Sequence, residues 1–210
     1  DRGIPESLDE DKGNFPTLIA AYKRASKGAS RSVKPGDSLP LKQAEGAAKV
    51  TMTCVCSSGE VIKPKEGIGP NPRAGEIRAM ADDPTDNARS LGFVISLGEW
   101  RYLNLGDLTW NTESRLVMPV NRLGEIDVYQ STHHGLPVSN NPAVIRSVRP
   151  TVAVFNNGPR KGGSPEVLAT LRRVETTQGI FQVHRNETAN AAENTEPDKI
   201  ANSEAACQAH

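Results

Sequence analysis

Apolar residues in this chain fall into short runs bounded by turn residues. Lys49-Val50-Thr51-Met52-Thr53-Cys54-Val55 alternates in character and predicts a strand with one buried face. Residues 91–97 and 100–105 predict two more strands, with Gly98-Glu99 as the hairpin turn between them. Residues 126–130, 151–155 and 179–183 predict three further strands, the second of them rich in β-branched side chains. Helices are predicted in between. One lies near 109–116, with Asn111 or Thr112 as its cap and Pro119 as its limit. Another spans 142–148, after Asn140-Asn141. A third runs from Pro165 to Arg173, with Ser164 as its cap. Earlier in the chain, Leu18, Ile19 and Tyr22 make one apolar face over 16–26, closed by Gly28. Leu39-Pro40-Leu41 predicts a short edge strand, because proline excludes a central one. Hairpins first and β-α units afterwards suit a mixed α/β sheet with helices packed outside it.

Two stretches interrupt the pattern. Residues 57–87 form a long connection rich in Gly, Pro, Lys and Asp, expected to be a surface loop or a lid. Residues 188–197 are polar and expected to be loop or mobile chain, with a short helix over 200–207. The domain reading is therefore 1–187, with its core at about 49–184, followed by a flexible polar segment over 188–210. A length of 210 residues suits one domain with a sizeable core. Hydrophobic residues make up only 36%, with 18 Gly and 15 Pro, which points to a loop-rich α/β protein. The formal charge is zero, so charge gives no nucleic-acid or anionic-membrane signal. No apolar run approaches the length of a membrane span.

The candidate chemistry sits where two strands end. One run finishes at Gly106-Asp107 and the next at His133-His134-Gly135. A carboxylate and imidazoles at neighbouring strand ends can converge, and together they suit zinc, manganese or iron. Adjacent histidines on an extended segment point to opposite sides, so one direct ligand is expected. Asp107 as a turn cap and the histidines as a hydrogen-bonded turn are the alternatives.

Asn87-Ala88-Arg89-Ser90, Gly106-Asp107, His133-His134-Gly135 and Asn156-Asn157-Gly158 resemble, in this order, the second half of the metallo-β-lactamase fold. The nearer likeness is to the hydrolase-like domains related to the competence protein ComEC. The resemblance covers residues 50–184 and implies part of an αββα sandwich, mostly its second half. It implies a metal-dependent hydrolase that acts on phosphodiester or ester bonds through a metal-bound hydroxide. Two divalent ions, zinc by preference, would be bridged by Asp107, with His134 as a further ligand and His133 as the catalytic, substrate-side group. Asn157 and His184 would contact a small-molecule or phosphodiester substrate. An exported or periplasmic location would follow from the same likeness.

The family's His-x-His-x-Asp-His loop is missing: the four histidines are His133, His134, His184 and His210. The chain is therefore expected to be a fragment, with Asp1-Arg2-Gly3 following a lost metal-binding half. A non-catalytic binding or scaffold domain of the same fold is the alternative function, and an unrelated α/β binding domain is a third. Cys54, Cys56 and Cys207 leave three states open: a zinc set with His210, a disulfide from Cys207 to one of the first pair, or free thiols.

Overall fold

The computed structural model describes residues 15–202. Seven strands form one sheet in the order β2-β1-β3-β4-β5-β6-β7. They are β1 (Val50–Ser57), β2 (Glu60–Val61), β3 (Gly92–Leu97), β4 (Trp100–Asn104), β5 (Val128–Gln130), β6 (Val152–Phe155) and β7 (Gly179–Gln182). Pairing is antiparallel from β2 through β4 and parallel from β4 through β7. The expected α/β class and mixed sheet are present. Strand β2, two residues long, was not predicted. The expected edge strand at 39–41 is only a bridge from Ser38 to Thr53 on β1.

Helices α2 (Trp110–Arg115), α3 (Pro142–Val148) and α4 (Pro165–Arg172) connect the parallel strands in turn. Right-handed crossovers between successive neighbours put all three helices on the same side of the sheet. The register agrees. Leu103 pairs with Tyr129, Tyr129 with Ala153, and Ala153 with Ile180, so these four share a face. They form the core with Val144, Ile145 and Val148 of α3 and Val167, Leu168 and Leu171 of α4. Helix α2 starts one to two residues before its expected cap, with Thr109 at the N-cap position. Asn141 caps α3, its side chain accepting from Ala143 N.

The opposite face carries Tyr102, Val128, Val152, Val154 and Phe181. Leu97, Trp100 and Phe181 are 45%, 44% and 41% exposed, large values for apolar strand residues. Helix α1 (Phe15–Ser26) forms as its periodicity predicts, yet Leu18 is 64% exposed.

The polar segment from 188 to 202 packs on β7. Thr195 N donates to Gln182 Oε1 at 2.6 Å, Thr195 Oγ1 donates to the Ile180 carbonyl at 2.6 Å, and Ile200 is 3% exposed and bridges Gln182. The 57–87 connection is likewise held. Asn71, 6% exposed, donates to the Val117 carbonyl and to Ser147 Oγ. Cys54 and Cys56 are buried free thiols. Cys207, His210 and the helix expected over 200–207 lie wholly or largely outside the described residues. No described helix is long and apolar enough to cross a membrane.

Candidate metal centre

Asp107 lies just beyond β4, three residues after Asn104. Gly106 before it has φ of +59°, a left-handed turn that glycine adopts without strain. Gly106 N donates to Asn104 Oδ1 at 2.8 Å, and the Gly106 carbonyl accepts from His133 N at 2.9 Å. That second bond ties the end of β4 to the loop after β5.

The loop is not extended. His133 lies at φ 52°, ψ 47° and His134 at φ 59°, ψ 11°. Two successive left-handed residues turn both imidazoles toward one carboxylate instead of to opposite sides. His133 Nε2 is 3.8 Å from Asp107 Oδ2, and His134 Nε2 is 3.7 Å from Asp107 Oδ1. Each ring thus faces its own oxygen. The rings are 6.1 Å apart at 62°.

Hydrogen bonds on the far sides of the rings fix their tautomers. His134 Nδ1 lies 3.0 Å from the Asn156 carbonyl oxygen, which can only accept, so Nδ1 carries the proton. Ser139 Oγ already donates to the Leu108 carbonyl at 2.7 Å, so it accepts from His133 Nδ1 at 3.4 Å. In both neutral rings Nε2 then holds a lone pair, and that lone pair faces a carboxylate. Two electron-pair donors facing each other call for a cation between them, either a second proton on the ring or a metal ion.

Electrostatics around His133 oppose the proton. Burial pushes its pKa below the ordinary imidazole value, Asp107 pulls it back up, and Lys161 and His134 push it down again. Asp83, from the 57–87 connection, acts in the same direction as Asp107. The side chains of Asp107 and His134 are open to solvent at 35% and 29%, whereas that of His133 is 10% exposed.

Beneath the loop lies a polar group that the sequence does not reveal. Glu113 of α2 is fully buried. Its carboxylate accepts from Thr132 Oγ1 at 2.9 Å and from Asn141 N at 2.9 Å. Tyr129 OH, 3.4 Å from the same carboxylate, donates to Asn140 Oδ1 at 2.8 Å. Burial raises the Glu113 pKa to about 7, with the surrounding donors pulling the other way. A glutamate in a short helix reads as a solvent-facing charge, and nothing in the sequence pattern signals the network.

The other two predicted residues sit together beside this cluster. Asn157 is 2% exposed, and its amide donates to the His184 and Gly158 carbonyls at 2.8 and 3.1 Å. His184 Nδ1 pairs with the Asn202 amide. The structure therefore brings Asp107, His133 and His134 into one cluster and couples Asn157 to His184 next to it. A pocket of about 330 Å³ lined by Arg73, Arg146, Arg149 and Arg173 lies away from this chemistry, where α3 and α4 end. Three of those arginines pair with Glu76 or Glu125.

The donor types fit a divalent metal, but their count among the described residues falls short of a closed shell. Among the described residues, no group of three or more His, Cys, Asp or Glu side chains is arranged to hold a metal ion.

No family model matches the chain, and no curated protein matches it. Among solved structures it is similar to one from Parabacteroides distasonis ATCC 8503 named "Putative metal-dependent hydrolase". The two are 14% identical with a TM-score of 0.42, and the match covers 78% of this chain and 62% of that one. This chain thus spans less than two thirds of that chain's length, and a likeness so loose carries no argument about fold or chemistry.

Proposed function

We propose that the chain is part of a metal-dependent hydrolase of metallo-β-lactamase type, with Asp107 and His134 holding the metal and His133 beside them on the substrate side. The single observation that carries this reading is the 3.0 Å contact of His134 Nδ1 with the Asn156 carbonyl oxygen. That Nδ1–H is committed to the Asn156 carbonyl, so the Nε2 lone pair faces Asp107 Oδ1 across 3.7 Å. A divalent metal bound there would supply Lewis acidity toward a phosphodiester or ester oxygen and lower the pKa of water. The protein's own part is to hold the carboxylate and imidazole pointed at a common centre. His133, whose pKa burial lowers, can hydrogen-bond a substrate or take up a proton at Nε2.

The exposed apolar sheet face supports the fragment reading. Leu97, Trp100 and Phe181 suit burial under a second layer of polypeptide, and that layer would supply the remaining ligands. The incomplete ligand count among the described residues favours a second reading, a binding or scaffold domain of the same architecture that needs no metal.

Elemental analysis of the purified chain, with Asp107→Ala and His134→Ala beside it, separates the two. Bound metal that is lost in both variants supports the hydrolase reading. A chain that holds no zinc, manganese or iron, alone or joined to the segment that covers the sheet face, leaves the scaffold reading.

A further inference from the structure

We propose that Glu113 is a positioning residue for the Asp107–His133–His134 cluster, acting through Thr132 and Asn141 on the loop that carries both histidines. This rests on the reading of that cluster as the functional site. The hydrogen-bond partners of Glu113 are Thr132, Asn141 and Tyr129 and not the three residues themselves. Its two carboxylate oxygens instead hold the two ends of the segment around them, with Thr132 Oγ1 immediately before His133 and Asn141 N at the start of α3.

The segment needs holding. His133, His134 and Asn140 are all at positive φ (52°, 59° and 59°), and none is glycine. Left-handed backbone of this kind persists only where surrounding contacts determine it. The contacts are present and buried. Asn140 Nδ2 donates to the Thr132 and Leu136 carbonyls at 2.7 and 2.9 Å, which clamps the loop across its base. Asn140 Oδ1 accepts from Tyr129 OH at 2.8 Å, and Tyr129 OH also lies 3.0 Å from Thr132 Oγ1. Tyr129 is itself fully buried and fixed by the sheet. Glu113 closes this circuit from the helix side. Take away its carboxylate, and the amide of Asn141 is left in a dry interior without its acceptor, while the hydroxyl of Thr132 keeps only Tyr129 OH as a partner. The loop then relaxes toward ordinary backbone, and the imidazoles swing away from Asp107.

The chemistry of the circuit also says which replacement is tolerated. Glutamine can present its oxygen to Asn141 N and its amide to Thr132 Oγ1, because a hydroxyl accepts as well as donates. Alanine can do neither.

The experiment compares the 210-residue chain with Glu113→Ala, Glu113→Gln, Thr132→Val and Thr132→Ser. The readout is the imidazole carbon–proton signals of His133 and His134 in nuclear magnetic resonance spectra without metal, assigned with single His→Gln variants. Positioning predicts that Glu113→Ala and Thr132→Val move both sets of signals, whereas Glu113→Gln and Thr132→Ser keep them near wild type. Thr132→Val, which preserves volume, decides the matter if Glu113→Ala does not fold. Unmoved His133 and His134 signals in a folded Glu113→Ala or Thr132→Val variant overturn the proposal, even if its melting temperature falls. Titration of the same samples with Co²⁺ addresses the underlying reading separately. Where wild type binds the ion, Thr132→Val should bind it about 10-fold more weakly or worse. Equal affinity overturns the positioning role and leaves the metal reading intact. Moved histidine signals in a wild-type background that binds no Co²⁺ support positioning and count against the metal reading.

Discussion

Replacing Gly162 with alanine tests whether the Gly162-Gly163 segment between β6 and α4 holds the His134 backbone in place. Gly162 has φ of +81°, and a Cβ there would lie 2.1 Å from the His134 carbonyl oxygen and 2.7 Å from the His134 Cβ. Both neighbours are backbone or next to it, so neither can rotate aside. The left-handed conformation alone costs alanine roughly 1–2 kcal/mol. The bond from Gly163 N to the His134 carbonyl, 2.8 Å long, cannot survive the displacement, a loss of about 1 kcal/mol. Forcing the loops apart adds about 1–3 kcal/mol, as in other overpacked sites. The whole effect is therefore about 4 kcal/mol, a large share of the roughly 5–15 kcal/mol that holds a domain together. Gly158→Ala is the matched control, because its Cβ would find its nearest neighbour at 3.9 Å and its φ is unstrained. Urea unfolding followed by the fluorescence of Trp100 and Trp110 gives both values. A loss below about 1 kcal/mol for Gly162→Ala, or one equal to that of Gly158→Ala, refutes the claim that this loop fixes His134.

Two further outcomes follow from charge. Glu113 is raised by burial from 4.5 to about 7, so between these values the folded chain binds more protons than the unfolded one. Its neutral form is the one the fold favours, and that contribution is complete below pH 4.5 and lost as pH rises through 7. Urea midpoints should therefore show wild type losing stability relative to Glu113→Gln across this window, and a pH-independent difference refutes the assignment. The Asp107 carboxylate holds up the pKa of His133 against burial and Lys161. Asp107→Asn should thus shift the His133 titration, followed by magnetic resonance, to lower pH, and an unchanged or raised midpoint contradicts the geometry.

What could be read in advance depended on how local its cause was. Strand β1 shows in its alternation and β3 and β4 in their short apolar runs, and the Gly98-Glu99 turn fixes the register of the β3–β4 hairpin. Helices α3 and α4 announce themselves through Asn141-Pro142 and Ser164-Pro165. The convergence of Asp107 with the histidines was legible because chain order places Gly106 and His133 at the ends of adjacent strands. Their mutual orientation was not. Two left-handed histidines have no signature, since the bonds that hold them come from Gly106, Asn140 and Gly163. Residues 188–197 read as loop or mobile chain because they are polar, yet Asn194 and Thr195 are buried, at 3% and 4% exposure, and serve the backbone at the edge of β7. The apolar face of α1 shows the opposite failure: a clear periodicity that the described residues do not bury.

The change from antiparallel to parallel pairing at β4 has a bearing on the order of assembly. The β3–β4 hairpin closes over two residues, whereas β4 meets β5 only after a connection of more than 20 residues. Closing the longer loop costs more chain entropy before any contact repays it, so the β3–β4 hairpin can form early and its crossover to β5 follows. Asp107 belongs to the strand on the early side of this seam, and His133 and His134 belong to the late side. The cluster thus comes into being only when the two halves of the sheet are joined, and a chain stalled at the hairpin stage carries every residue of the site and none of its geometry.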